Sequence, residues 1–283
     1  FHRPRLYNVQ EKIWMGYERK RGKLGALNAY LLRGNRSPFM CITGPQALLK
    51  DVRYVITLDT DTELPRDAAR QFISVMAHPL NQPFYDNVLH RVTHGYGIIQ
   101  PRIASSLPGT SASLYARLSG GEPGIDPYTR TISDVYQDVF GEGSFVGKGI
   151  YDIAAFEKTL ANRLPENRIL SHDLLEGCYA RSGLLSDVQL YEEYPSHYSA
   201  DVSRRHRWSR GDWQIASWIL SRSPGRNGSR QPTALSALSR WKIADNLRRS
   251  LIPQAILALL LISWFKLSEP LPATLVIIFM LMI

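Results

Sequence analysis

Apolar and polar positions fall into three distinct patterns along the chain. Tyr54 to Leu58 read YVITL, a short β-branched and aromatic run that ends abruptly in Asp59-Thr60-Asp61. Such a run predicts a buried strand delivering polar side chains at its C-terminal edge. Pro65 then suits the opening of a helix, with Asp67 in its first turn and Phe72, Ile73 and Met76 spaced to share one face. Strand, acidic turn and helix in that order predict an α/β fold. A second strand is predicted at GIIQPRI from Gly97, and a helix over Ile153 to Leu160 behind the glycine-rich stretch GEGSFVGKGIYD that begins at Gly141. Between these two, Gly/Ser/Pro-rich sequence continues through Pro127, too long for an ordinary connection and therefore expected to be a functional or inserted loop. No internal repeat is visible.

Toward the C-terminus the pattern turns polar and then apolar. Ser221 to Thr233, SRSPGRNGSRQPT, has the composition of a mobile surface loop. From Leu251 the chain reads LIPQAILALLLISWF, then KLSEPLP, then ATLVIIFMLMI. The first apolar run is near the lower limit of about 17 residues for a membrane-spanning helix. Arg240, Lys242, Arg248 and Arg249 crowd one flank, and Trp264 and Lys266 stand at the other. That asymmetry predicts a membrane segment whose preceding domain faces the cytoplasm, with a buried core helix as the alternative. The expected division is a folded domain over 1–220, a basic linker over 221–250 and membrane segments over 251–283, one complete and one truncated. The chain opens in charged sequence without an initiator Met, so it is expected to be a fragment of a longer protein.

Composition narrows the partners. A 44% hydrophobic content over 283 residues supports a real core and excludes a disordered chain. The net charge of +9 favours an anionic partner: nucleic acid, acidic lipid or a phosphorylated small molecule. Two distant cysteines, Cys41 and Cys178, provide neither a disulfide framework nor a zinc site, and fit a reducing setting.

Four segments carry candidate chemistry. Lys20 to Asn28, KRGKLGALN, combines clustered cations, Lys20 and Lys23 among them, with glycines that let backbone approach a phosphate; a solvated basic helix face fits equally. Asp59 and Asp61 can turn toward one ion where the strand has ended, and two hard carboxylates suit Mg2+ or Mn2+; the alternative is a pair of turn or capping residues. In Ser171-His172-Asp173, Ser171 is a candidate helix cap, and Asp173 is either a general base or an N-terminal carboxylate favoured by the helix dipole. In SRRHRW, a helix places Arg204, Arg207 and Trp208 on one face, two guanidinium groups for phosphate and an indole for a sugar ring. The same helix, continued through Trp213, Trp218, Ile219 and Leu220, has the character of an amphipathic segment lying at a bilayer surface, and a basic helix of this kind also suits calmodulin or acidic lipid.

These segments, in this order, resemble the processive membrane glycosyltransferases of the GT-A fold that include cellulose synthase, and most closely the cyclic β-1,2-glucan synthases. The order of motifs carries the resemblance, which covers nearly the whole chain. The resemblance implies a Rossmann-like nucleotide-sugar domain, N-terminally truncated and followed by transmembrane helices, in a bacterial inner membrane. It implies that Lys20, Lys23 and Asn28 belong to the substrate segment, that Asp59 and Asp61 hold the divalent metal, and that Asp173 is the base. Arg204 and Arg207 would clamp the diphosphate, Trp208 would border the acceptor, and Gly143 and Ser144 would belong to an acceptor-side loop. UDP-glucose would be the donor and a growing glucan the acceptor. The triplet SHD where cellulose synthases carry TED, and Arg204 where they carry Gln, point toward the β-1,2-glucan enzymes. A further nucleotide-binding Asp is expected upstream of Phe1. A linear β-glucan synthase and a non-catalytic sugar-nucleotide or polysaccharide binder are the competing readings; the membrane segments directly after the Arg/Trp motif disfavour nucleic acid.

Overall fold

The computed structural model describes residues 1–119, 134–226, 228–266 and 270–282. The part of the predicted long loop beyond Ser119 lies outside the described residues. The chain opens with a hairpin, β1 (Arg5–Asn8) and β2 (Ile13–Gly16), followed by helix α1 (Arg19–Arg33). YVITL forms β3 (Tyr54–Thr57), and β4 (Thr62–Glu63) follows the acidic turn. Helix α2 (Ala68–Ala77) leads to a hairpin of β5 (Phe84–Asp86) and β6 (Arg91–His94), and then to the long strand β7 (Ile98–Ser105). Short helices α3 (Leu107–Ser111), α4 (Leu114–Ser119) and α5 (Val135–Phe140) precede β8 (Gly149–Asp152) and α6 (Ile153–Leu160). Helix α7 (Asp173–Ala180), β9 (Ser182–Glu192) and α8 (Tyr198–Ile215) complete the domain.

Five strands make one sheet in the order β3-β8-β7-β9-β4. Only the central pair, β7 and β9, runs parallel; the other neighbours are antiparallel, so the predicted α/β class holds with a mixed sheet. Alternation along the strands sends side chains to two cores. Ile99 and Ile150 pack with Phe72 and Met76 of α2 on one face, whereas their neighbours Ile98 and Tyr151 pack with Ile153 and Phe156 on the other. The β7–β9 register shifts between Pro101 and Arg102, where proline has no N–H for the ladder.

Several local expectations change in three dimensions. Helix α2 starts at Ala68, not Pro65, and Asp67 precedes it in a left-handed conformation. Ile73 is exposed, because the face toward the sheet runs through Ala68, Phe72 and Met76, one turn apart. Ser171 does not cap α7; the cap position is His172. Helix α8 ends at Ile215 and the chain tightens into a single turn over Ala216–Ile219. Trp218 is therefore carried into a core with Leu175, Tyr179 and Ile243 and away from any bilayer surface.

The predicted loop over 221–233 contains a hairpin of β10 (Arg222–Pro224) and β11 (Arg230–Pro232). Helix α9 (Ala237–Lys266) then runs 30 residues through position 250, and α10 (Pro270–Met282) follows. The two ends of α9 differ. Ile243 and Leu247 are buried against the domain, whereas Leu257, Leu259, Ile262 and Phe265 are exposed. Among the described residues α9 is the helix long and apolar enough to cross a membrane; α10 holds a shorter apolar stretch, Pro270–Phe279.

Candidate active site

Where β3 runs out, the chain no longer alternates, and Asp59 and Asp61 both reach a cavity of about 740 Å³. Asp59 takes two ammonium groups there. Lys20, in the first turn of α1, donates to Asp59 Oδ1 at 2.6 Å and to the Gly147 carbonyl at 2.7 Å. Lys148 Nζ stands 3.2 Å from Asp59 Oδ2 and is also paired with Glu192 at the end of β9. Burial alone would raise the Asp59 carboxyl, but Lys148 and Lys20 outweigh it and hold Asp59 below the ordinary carboxylate value. Asp61 is exposed on the cavity wall.

Asp173 is the first residue of α7, so its carboxylate lies where the helix dipole favours negative charge. His172 Nδ1 is 3.4 Å from Asp173 Oδ1 and 2.8 Å from Glu176 Oε1. Burial pushes the Asp173 carboxyl up and Glu176 adds to this, while His172 and Lys20 oppose them; the net shift is upward. Burial would discharge His172, but Glu176 and Asp173 overcome it and raise the imidazole to about 9. Asp173 thus sits beside an imidazolium at neutral pH, with its carboxylate open to the cavity.

Helix α8 supplies the third wall. It approaches the 171–173 segment closely because residue 211 is glycine: a Cβ there would stand 2.4 Å from that of Ser171. Arg204, Arg207 and Trp208 all line the cavity, as their spacing predicts. Arg204 lies over the Trp208 ring at 4.7 Å and the Tyr194 ring at 5.6 Å, and donates to the buried Asp201 at 3.0 Å. Asp201 also accepts from Arg205 at 2.7 Å and from the Tyr115 hydroxyl at 2.9 Å. The guanidinium of Arg204 is therefore fixed before any ligand arrives.

The roof comes from the segment expected to be a linker. Lys242, Asp245, Asn246 and Arg249 of α9 line the same cavity. Lys242 is buried; it pairs with Glu142 at 3.1 Å and donates to the Gly143 carbonyl at 2.7 Å. Helix α9 thereby clamps the glycine-rich loop that presents Ser144 to the cavity.

Of the residues singled out from sequence, the cavity gathers Lys20, Asp59, Asp61, Ser144, Asp173, Arg204, Arg207 and Trp208. Three stand elsewhere. Lys23 projects from the exposed face of α1. Asn28 is fully buried and accepts from the Tyr151 hydroxyl at 2.9 Å, so it joins α1 to the sheet. Gly143 lies behind the cavity wall, its carbonyl taken by Lys242 and Ser182. Sequence reasoning missed Lys148, Glu176, Glu192, Asp201 and Lys242. Asp201 had a readable signal, since an acid three and four residues before Arg204 and Arg205 is helical ion-pair spacing. Lys148 and Lys242 had none of comparable strength.

No family model matches the chain. It is similar to the cyclic beta-(1,2)-glucan synthase NdvB of Rhizobium meliloti (strain 1021), at 49% identity over 286 aligned positions covering the whole chain. The chain spans 10% of that relative's length.

Proposed function

We propose that this chain is the sugar-transferring segment of a cyclic β-(1,2)-glucan synthase, an inverting glycosyltransferase that uses UDP-glucose as donor and a growing glucan as acceptor. One observation carries the reading: Asp173, the Asp59/Asp61 pair and the Arg204/Arg207/Trp208 face converge on one cavity, in a chain 49% identical to a segment of a cyclic glucan synthase. On this reading the domain has the GT-A fold. Helix α9 and the apolar α10 cross the bacterial inner membrane, and the catalytic domain faces the cytoplasm.

In the proposed reaction the acceptor hydroxyl oxygen attacks the anomeric carbon of glucose. Its proton passes to Asp173 Oδ as the new glycosidic C–O bond forms, and the bond to the nucleoside diphosphate breaks with its electron pair leaving on the diphosphate. Attack opposite the leaving group inverts the donor and gives a β-linkage. Arg204, prefixed by Asp201, and Arg207 bind the diphosphate oxygens, and guanidinium geometry suits that role. Trp208 presents its ring to the acceptor sugar.

The hard carboxylates of Asp59 and Asp61 fit Mg2+ or Mn2+, which at that position supplies positive charge against the departing diphosphate. A cation reaching Asp59 must share it with Lys20 and Lys148, which hold both its oxygens.

The test is transfer of labelled glucose from UDP-glucose by membranes carrying the intact protein, with and without Mg2+, followed by sizing and linkage analysis. Metal-dependent β-1,2-glucan formation that Asp173→Asn abolishes, with UDP-glucose binding retained, supports the assignment. A linear or differently linked product moves it to another glucan synthase, and absence of transfer from folded protein refutes it.

A further inference from the structure

The end of α7 buries an arrangement that the transfer reaction as described leaves unused. Asp173 and Glu176 lie three residues apart, so helical geometry brings their carboxylates to the same side, and Glu176 is only 2 % exposed. Two such acids repel each other, and Glu176 disfavours ionisation of Asp173. His172 is the group between them: its Nδ1 stands 2.8 Å from Glu176 Oε1 and 3.4 Å from Asp173 Oδ1. Glu176 Oε2 is buried without a hydrogen-bond partner.

We propose that His172 is a positioning residue for Asp173, its ring wedged between the Asp173 and Glu176 carboxylates so that the Asp173 oxygens stay turned to the cavity as acceptors. This rests on the reading of Asp173 as the base of the transfer reaction. Glu176 cannot contact substrate from its buried position. Its role is to keep the imidazolium charged, and the imidazolium in turn opposes the two influences, burial and Glu176 itself, that would protonate Asp173. The other charged groups facing the cluster are Arg21 and Lys20 of α1, and Asp59. Arg21 disfavours the His172 charge, Lys20 favours ionised Asp173, and Asp59 opposes it. Once His172 is neutral, Lys20 and the α7 dipole are left to favour ionised Asp173.

The experiment is the pH dependence of kcat for glucan synthesis by the intact protein in its membrane, at saturating UDP-glucose and metal. Wild type is compared with His172→Gln and His172→Lys, and Asp173→Asn serves as the reference. His172→Gln is expected to move the acid limb to higher pH, with about a tenfold loss of kcat at the acid end, a recovered alkaline plateau and an unchanged KM for donor. His172→Lys keeps the charge, so its limb should stay with wild type; this arm decides the matter even where the Gln variant fails to fold. A Gln profile superimposed on wild type, or a Lys limb displaced from wild type, overturns the positioning role. Activity retained by Asp173→Asn instead removes the base assignment itself, so the two failures are separable.

Discussion

Asp173 rests against the backbone of Gly147: a Cβ at position 147 would stand 2.7 Å from Asp173 Oδ1. Gly147 also has φ +88, a conformation L side chains rarely adopt, and its carbonyl accepts from Lys20. Absence of a side chain therefore lets one loop residue touch the candidate base and fix a donor-side cation. Gly147→Ala is expected to lower kcat by tenfold or more, in the range of about 10²-fold for a misplaced catalytic group, together with a stability loss of about 1–3 kcal/mol from backbone strain. Steady-state kinetics beside a denaturation curve check this; unchanged kcat in a folded variant removes the contact from the mechanism.

Asp201 holds Arg204 and Arg205 and is itself buried. Asp201→Asn keeps the volume but removes the charge that fixes both guanidinium groups. Its expected effect is a rise in KM for UDP-glucose of about tenfold, since charge-assisted bonds are the stronger ones, with a smaller change in kcat. Donor titrations of variant and wild type measure it.

The Lys242–Glu142 pair joins α9 to the glycine-rich loop from inside the protein. Removing one partner leaves a buried charge, so Lys242→Met should destabilise by about 3–5 kcal/mol, while the double change Lys242→Met with Glu142→Leu should recover much of that loss. A double-mutant cycle on the folded protein reads the coupling directly.

Stability should also respond to pH through His172. Its folded value, about 9, lies above the ordinary 6.5, so its contribution is complete below about pH 6.5 and is lost as pH rises through about 9. Thermal midpoints recorded from pH 6 to 10 should fall over that window in wild type, and His172→Gln should flatten the fall.

Asp61 is the exposed member of the acidic pair. Asp61→Ala is expected to abolish Mg2+- or Mn2+-dependent donor binding and leave the Asp59 ion pairs in place. Donor binding measured against metal concentration tests this; an unchanged metal requirement takes Asp61 out of the metal site.

Much of the architecture was legible because it is local. YVITL became β3, GIIQPRI became β7, and Ile153–Leu160 matched helix α6 end to end. Arg204, Arg207 and Trp208 share a face because the helical repeat dictates it. The same reasoning misjudged Ile73 and Trp218. Ile73 sits beside Phe72 in a pattern that permits either face to pack, and Trp218 falls just beyond the end of α8, where the helical repeat no longer applies.

The sequence by itself determined the strand–turn–helix order, the apolar stretch of α9 and the motifs that gather at the cavity, since each is set by neighbours a few residues away. Tertiary structure alone decided which polar residues belong to that cavity. Strand order places β8 beside β3, so that Lys148, immediately before β8, reaches Asp59, 89 positions earlier. Folding of α9 onto the domain buries Lys242 against Glu142, 100 residues away, and turns an expected linker into a cavity wall. Packing of α1 on the sheet draws Asn28 into the core, where it meets Tyr151 of β8. Such pairings depend on which elements meet in space, and no periodicity in the chain encodes distances of that length.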